Sequence, residues 1–416
     1  MLLPSSTDHL VARRRLQAIW KPGIRLPAFD TKLGYWATKG HRESSTTFAD
    51  DDYDYSEEDK KPSCDPSTCR PPNCSCFGAL PDIPLDSRPQ FVMVTFDDAM
   101  TVANVDTYKQ IVRKGRFQKD VKVTFFVSHE YNDYTITQSF YSEGHEIAVH
   151  TISHESNTDL WRYGTPERWK RETVGMRTML STYAGIPKVE LAGHRAPFLQ
   201  TAGDVTFEVL KKEGFFYDSS MPSRNYMDPP IWPYTLDYGY SQDCQIEPCP
   251  NGRFEGLWEV PMVQYHRFSR EGDFYCSMLD ACTPQPVTAS DTKDYLMKNF
   301  LRHYRSNKAP FPVFLHEAWL REKERLLGFM QFLEEILQKP DVFAVTVRDV
   351  VEYVRRPVPY QRFTERDRPE PRSCKKVETC SYKEPLRIMR SCSPCPEYYP
   401  WVGTPLGKIP PKDFPN

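Results

Sequence analysis

Two adjacent carboxylates, Asp97 and Asp98, close the apolar run FVMVTF. Like charges in contact repel, so the pair calls for a metal, a shared proton or water around it. Further along, HTISH sets His150 and His154 four residues apart. On a helical turn that spacing puts both imidazoles on one side, a good arrangement for a divalent metal. No Glu follows the first His, so this is not the HExxH zinc-protease pattern. A third ligand and a base must come from elsewhere, and Asp98 and Asp97 are the natural suppliers. A cation bound by one carboxylate relieves the repulsion on the other. GHRAPF carries Arg195 into an Ala-Pro turn, where its guanidinium can hold a carboxylate by two parallel hydrogen bonds. Asp218 in FYDSS and His316 in PVFLHEAW each stand at the end of a strand-like run. Taken singly, each group has a plainer reading: a solvated strand end, two surface histidines, a surface arginine, a helix cap, a core histidine. His129, His145, His194 and His303 have no comparable setting and read as structural.

Something must bring these groups together. FVMVTF, VKVTFFV, HEIAV, VELAGH, FFYDSS, LWEVPMV, FPVFLH and VFAVTV read as strands. Between them, NVDTYKQIVRKG, GDVTFEVLKKEG, DTKDYLMKNFLRHY and REKERLLGFMQFLEEIL have helical periodicity. TPERWKRETVGMRTMLSTYAG predicts a helix with Thr165 as its N-cap, Pro166 in the first turn and Gly185 beyond its end. Such alternation implies a mainly parallel sheet covered by helices, either open and doubly wound or closed as a barrel. No Gly-rich phosphate loop follows the first strand. Asp97, His150, Arg195, Asp218 and His316 lie at or just beyond several strand ends, which fits a barrel drawing its chemistry from many strands.

The chain of 416 residues suffices for one large domain or two ordinary ones. A net charge of -2 provides no global basic field for nucleic acid. No run of about 18 apolar residues occurs, so no membrane-spanning helix is expected. The 12 cysteines are clustered and even in number, which suggests disulfides and an oxidising compartment. Cys392-x-x-Cys395 fits zinc spacing, but SCDPSTCRPPNCSC does not. Asn73-Cys74-Ser75 is a glycosylation sequon pointing the same way as the disulfides. Cys244 with Cys249 and Cys276 with Cys282 are plausible local pairs, and the terminal clusters are able to pair with each other. No signal-peptide core is visible at the N-terminus. Residues 1–60, with basic residues at 13–15 and the acidic run DDDYDYSEED, read as a disordered leader or linker. Residues 61–88 and 358–416 read as Cys/Pro-rich extensions that wrap a central domain, residues 89–357.

In order and context, TFDDA, HTISH, RAPF, YDSS and FLHEAW resemble the successive motifs of the polysaccharide deacetylases, carbohydrate esterase family four. GHEIAVHTISHES, WPYTLDY, LWEVPM and the cysteine-rich flanks resemble the animal chitin deacetylase-like proteins within it. The resemblance implies a distorted α/β barrel of fewer than eight strands. It further implies a secreted monomer acting on chitin or N-acetylglucosamine polymer, with zinc or another divalent metal. Carried over residue by residue, Asp98, His150 and His154 are the metal ligands, which leaves an open position for water. Asp97 is the general base, held by Arg195. The backbone N–H of Phe198 stabilises the oxyanion, and His316 is the general acid, tuned by Asp218. Trp232, Tyr234 and Trp319 are candidate sugar-binding aromatics, whereas Trp258 reads as core. The activity implied is hydrolytic N-deacetylation, releasing acetate and leaving glucosamine units. Two alternatives stay open: a weakly active or inactive chitin-binding matrix organiser, and an acetyl esterase on another polysaccharide such as xylan.

Overall fold

The structure is a computed structural model that describes residues 63–269, 272–384 and 386–411. The expected leader, residues 1–60, lies outside the described residues. The first apolar run forms β1 (Gln90–Asp97), buried at every position because both of its faces are covered. Its alternate residues go to different places. Phe91 and Met93 join a cluster with Phe126, Trp258 and Phe314 inside the barrel. Val92, Val94 and Phe96 join an outer core with helix residues such as Tyr108, Met176 and Phe329. By that parity Asp97 shares the inward face of Phe91 and Met93.

β2 (Val123–Val127), β3 (Glu146–Val149), β4 (Gly193–His194) and β5 (Tyr217–Asp218) follow, each parallel to the one before. After β6 (Pro222–Ser223) and β7 (Tyr234–Leu236) comes β8 (Phe254–Glu259), parallel to β5 and antiparallel to β7. β9 (Met262–Val263) pairs with β6, and β10 (Tyr265–Ser269) with β11 (Gly272–Cys276) makes a hairpin. β12 (Phe311–Leu315) returns to the free side of β1, and β13 (Val342–Ala344) pairs with the start of β1. The sheet therefore runs β12-β1-β2-β3-β4-β5-β8-β7. It is a distorted α/β barrel with seven parallel strands between β12 and β8, in agreement with expectation. Among the described residues β12 and β8 share no ladder, and the chain itself crosses that seam: Leu279 N–H donates to the Phe314 carbonyl at 2.7 Å.

Eight helices among the described residues cover the sheet: α1 (Val105–Val112), α2 (Tyr134–Ser142), α3 (Asp159–Arg162), α4 (Pro166–Tyr183), α5 (Asp204–Lys212), α6 (Ala289–Tyr304), α7 (Lys323–Leu337) and α8 (Val347–Arg355). α4 begins as the sequence predicts, with the Thr165 side chain accepting from Arg168 N–H and Pro166 in the first turn. A cap of this kind is worth about 1 kcal/mol. Register brings the carboxyl ends of the strands to one rim. Asp97 pairs with Phe126, Val127 with Val149, Val149 with His194, and His194 with Asp218. Glycine at 193 permits the close approach of β4 and β5, since a Cβ there would lie 2.2 Å from the Tyr217 ring.

All twelve cysteines are paired. Cys244–Cys249 and Cys276–Cys282 form as expected. The terminal clusters do not join each other: Cys64–Cys76 and Cys69–Cys74 close one flank, Cys374–Cys392 and Cys380–Cys395 the other. The flanks dock on different elements. Ser75 N–H donates to the Thr235 hydroxyl on β7 and Phe77 packs on Tyr234. The C-terminal hairpin β14 (Glu378–Lys383) and β15 (Leu386–Ser391) sits at α2, where Arg390 meets Asp133. Short loops also cost least entropy to close.

Candidate active site

β1 ends at Asp97 and the chain breaks at Asp98, whose φ is 81°. The break parts the two carboxylates: Asp97 is buried, while the Asp98 side chain is 48% exposed at the rim. His150 directly follows β3. His154 is reached by an irregular loop, not by the helical turn that the spacing predicted, with Thr151 and His154 at φ 69° and 43°. Glu172 on α4 shapes that loop. Its carboxylate accepts from the N–H groups of Ile152 and Ser153, both at 2.9 Å, and from the Ser153 hydroxyl at 2.6 Å. Left-handed backbone outside glycine costs on the order of 1–3 kcal/mol per residue and clusters at functional sites. Here Asp98, Thr151, His154, Phe198 and Leu199 all adopt it around one rim.

Asp98 Oδ1 lies 3.5 Å from His154 Nε2 and 4.0 Å from His150 Nε2. One ligand atom from each residue falls within 4.8 Å of the others. A tetrahedral cation with bonds of about 2.0–2.2 Å spaces its ligands by about 3.5 Å, so a small contraction completes the set. His150 Nδ1 is 2.8 Å from the Arg195 carbonyl oxygen, which accepts a hydrogen bond from Nδ1–H and leaves Nε2 free to ligate. Burial above all, with His154 beside it, pushes His150 down to about 4 against the pull of Asp97 and Asp98, so its imidazole is neutral. One carboxylate and two imidazoles suit zinc and other divalent first-row metals. A second cluster among the described residues, Cys64 with Cys69 and Cys76, is consumed by disulfides.

Arg195 is fully buried, its guanidinium lying between the rings of Phe126 and Phe314 at 4.0 and 4.4 Å. Its Nη1 donates to Asp97 at 2.7 Å and to the Thr95 hydroxyl at 2.8 Å, and its Nε donates to the Ser219 carbonyl at 2.8 Å. Burial acts most strongly on Asp97 and favours its neutral form. The combined pull of Arg195, His150 and His316 nonetheless holds its carboxyl below the usual carboxylate range. His316, the first residue after β12, places Nε2 4.0 Å from Asp98 Oδ2. Its Nδ1 is 2.7 Å from Asp280, which also accepts the His316 backbone N–H. Burial lowers the pKa of His316, but the Asp280 hydrogen bond and the charges of Asp97, Asp280 and Asp98 raise it to about 9. Phe198 stands at φ 54°, with its ring 4.9 Å from that of His154.

Two further expectations are corrected. Asp218 does not touch His316. It is fully buried, bonded to His194 Nδ1 at 2.7 Å and to the N–H and hydroxyl of Ser220, both at 2.8 Å. Ser220 in turn accepts Ala196 N–H, so Asp218 braces the turn that carries Phe198. β5 stands five strands along the sheet from β12, whereas the chain crossing the seam delivers Asp280 directly beside it. Nor do Trp232, Tyr234 and Trp319 line a groove, since all three are buried. Trp232 stacks on Tyr353, Tyr234 packs against Phe77, and Trp319 donates to Gln285. Trp258 is core, as expected.

Asp280 and Glu172 escaped the sequence reading, though each left a signal. Asp280 is the one acid inside the short Cys276–Cys282 loop. Glu172 interrupts the buried stripe of α4, which includes Trp169, Thr173, Met176 and Leu180.

A family model described as Polysaccharide deacetylase matches residues 85–217. Chitin deacetylase 8 of Bombyx mori is 34% identical over 359 residues, covering 83% of this chain and 93% of that protein. Chitin deacetylase 1 of Bombyx mori is 32% identical over 376 residues, covering 84% of this chain and 69% of that protein. Among solved structures, a Streptococcus mutans CE4 esterase aligns over 63% of this chain and 88% of its own, at 15% identity and a TM-score of 0.38.

Proposed function

The chain belongs to the polysaccharide deacetylase family, and on that premise we propose that it is a metal-dependent hydrolase removing N-acetyl groups from chitin or N-acetylglucosamine oligomers. The observation that carries this reading is the meeting, at one rim, of Asp98, His150 and His154 with the Asp97–Arg195 pair and the His316–Asp280 pair. Asp98, His150 and His154 would hold the metal, taken here as zinc. When bound, it supplies Lewis acidity towards water and the acetyl carbonyl. Asp97, kept ionised by Arg195, accepts a proton from the water that attacks the carbonyl carbon. The Phe198 N–H donates to the carbonyl oxygen as it gains charge. His316 gives a proton to the nitrogen as the C–N bond breaks, since an unprotonated amine is a poor leaving group. Asp280, accepting from Nδ1, keeps His316 Nε2 turned to the rim. The products are acetate and a free amino sugar. Six disulfides and the kinship to chitin deacetylases support an extracellular setting.

The test is acetate release from N-acetylglucosamine oligomers and from acetylated xylan, with zinc and with chelator. Release from the oligomers is expected, lost on chelation and recovered with zinc. Silence on the oligomers in the presence of zinc sinks the reading. Release from xylan alone makes the protein an esterase, and oligomer binding without turnover makes it a matrix organiser.

A further inference from the structure

Two aromatic residues at the rim stand in left-handed backbone, Phe198 at φ 54° and Tyr131 at φ 67°. Both side chains are turned to solvent, Phe198 47% and Tyr131 65% exposed. For a bulky residue such a φ is a true outlier, and exposed rings gain no burial to offset it. It persists only where neighbours over-determine it, and around Tyr131 those neighbours are visible. Arg387 of β15 donates to the Glu130 carboxylate, and its guanidinium lies 5.2 Å from the centre of the Tyr131 ring. Asn132 Oδ1 accepts Met100 N–H at 3.0 Å, and Asp133 N–H donates to the Met100 carbonyl at 2.8 Å. His129 N–H donates to the Ile152 carbonyl at 3.3 Å.

The segment bearing Tyr131 is thus tied to the stretch after Asp98 and to the loop carrying His150 and His154. Phe198, in contact with His154, follows β4 on the other side of that loop. In the order of the strands, Tyr131 follows β2 and Phe198 follows β4, one on each side of the His150–His154 loop that follows β3. The C–H face of a hexose ring suits a flat aromatic surface, and tyrosine supplies such a surface at low cost in side-chain entropy.

We propose that Tyr131, backed by Arg387 of the C-terminal extension, is a stacking platform for a sugar ring neighbouring the one that reacts. The chemistry rests on the deacetylase reading, but the binding does not.

The test compares hexasaccharide and disaccharide of N-acetylglucosamine by calorimetry, on zinc-loaded Asp97→Asn protein so that turnover does not intervene. Tyr131→Gly removes the ring and also frees the backbone of its strain, since glycine accepts φ 67°. Hexasaccharide Kd is expected to rise about tenfold in Tyr131→Gly while Tm rises by about 2 °C. Tyr131→Phe, which keeps the ring, should bind within about twofold of the parent. Unchanged hexasaccharide Kd in Tyr131→Gly overturns the proposal, as does a parent that does not bind hexasaccharide. If Kd worsens and Tm falls together, the ring is a structural brace and the proposal fails. Acetate release by the unmodified protein reports separately on the deacetylase reading.

Discussion

Asp97 and Asp98 differ in what surrounds them, and their replacement should separate cleanly. Asp98→Asn removes the proposed anionic ligand and is expected to lower bound zinc, read by mass spectrometry of the dialysed protein. Asp97→Asn should keep its zinc and lose about 10²- to 10⁴-fold in kcat. Equal zinc loss in both variants would undo the assignment. Asp280→Asn tests the proton donor. In the proposed role His316 gives up its proton only while protonated, so turnover should fall as pH rises through its pKa. Asparagine still offers Nδ1 an acceptor but not the charge, so the opposing effect of burial is less compensated, and the alkaline limb should move to lower pH. A cation on Asp98 cancels part of the carboxylate pull, so the alkaline limb of the loaded enzyme is expected between 6.5 and 9. An alkaline limb that does not move in Asp280→Asn would detach Asp280 from His316. The sequence made Asp97, Asp98, His150, His154, Arg195 and His316 legible because titratable groups at the ends of apolar runs need a reason to be there. It did not separate Asp218 from Asp280. Two acids near strand ends look alike until the fold sets one against His194 and the other against His316. Trp232 misled for a similar reason, because a flat ring suits a sugar and an opposing Tyr353 equally.

At the scale of elements, the loop from His150 to His154 depends on a helix some twenty residues downstream. Glu172 is its anchor, and burial raises that carboxyl's pKa while the bonds from Ser153 and Ile152 oppose the rise. Glu172→Ala should weaken zinc binding about 10- to 100-fold in competition with a chelator, as loss of a group that orients ligands does. Glu172→Gln keeps acceptor capacity and should fall in between. If Glu172→Ala holds zinc as tightly as the parent, the loop keeps its shape by other means. The strands were easier to read than this loop. FVMVTF and FPVFLH carry continuous apolar runs because both faces are covered, which is a local signature. The shape of HTISH is not local, and four-residue spacing is met as readily by an irregular turn as by a helix. The β10–β11 hairpin has alternation too weak to stand out, since much of it faces solvent.

At the scale of the molecule, the flanks support the rim from outside the barrel. Tyr399 and Trp401 lie 4.9 and 5.9 Å from the ring of His129, whose N–H holds Ile152. Deleting residues 374–411 removes two disulfides and uncovers the ring of His129. Tm is expected to fall by on the order of 5 °C, with faster zinc loss to a chelator. A truncated chain that keeps its zinc as long as the full one would show the extension to be a passive cover.

The Cys276–Cys282 loop adds a sensitivity to reduction. Two ligands of the proposed metal triad follow barrel strands directly and the third is held by Glu172, so that set needs no covalent bond. Asp280, the partner of His316, sits in a loop that oxidation closes and that the Leu279 N–H to Phe314 carbonyl bond ties to β12. On the proposed roles, reduction of that one bond would loosen the surroundings of the acid and leave the metal triad as it stands.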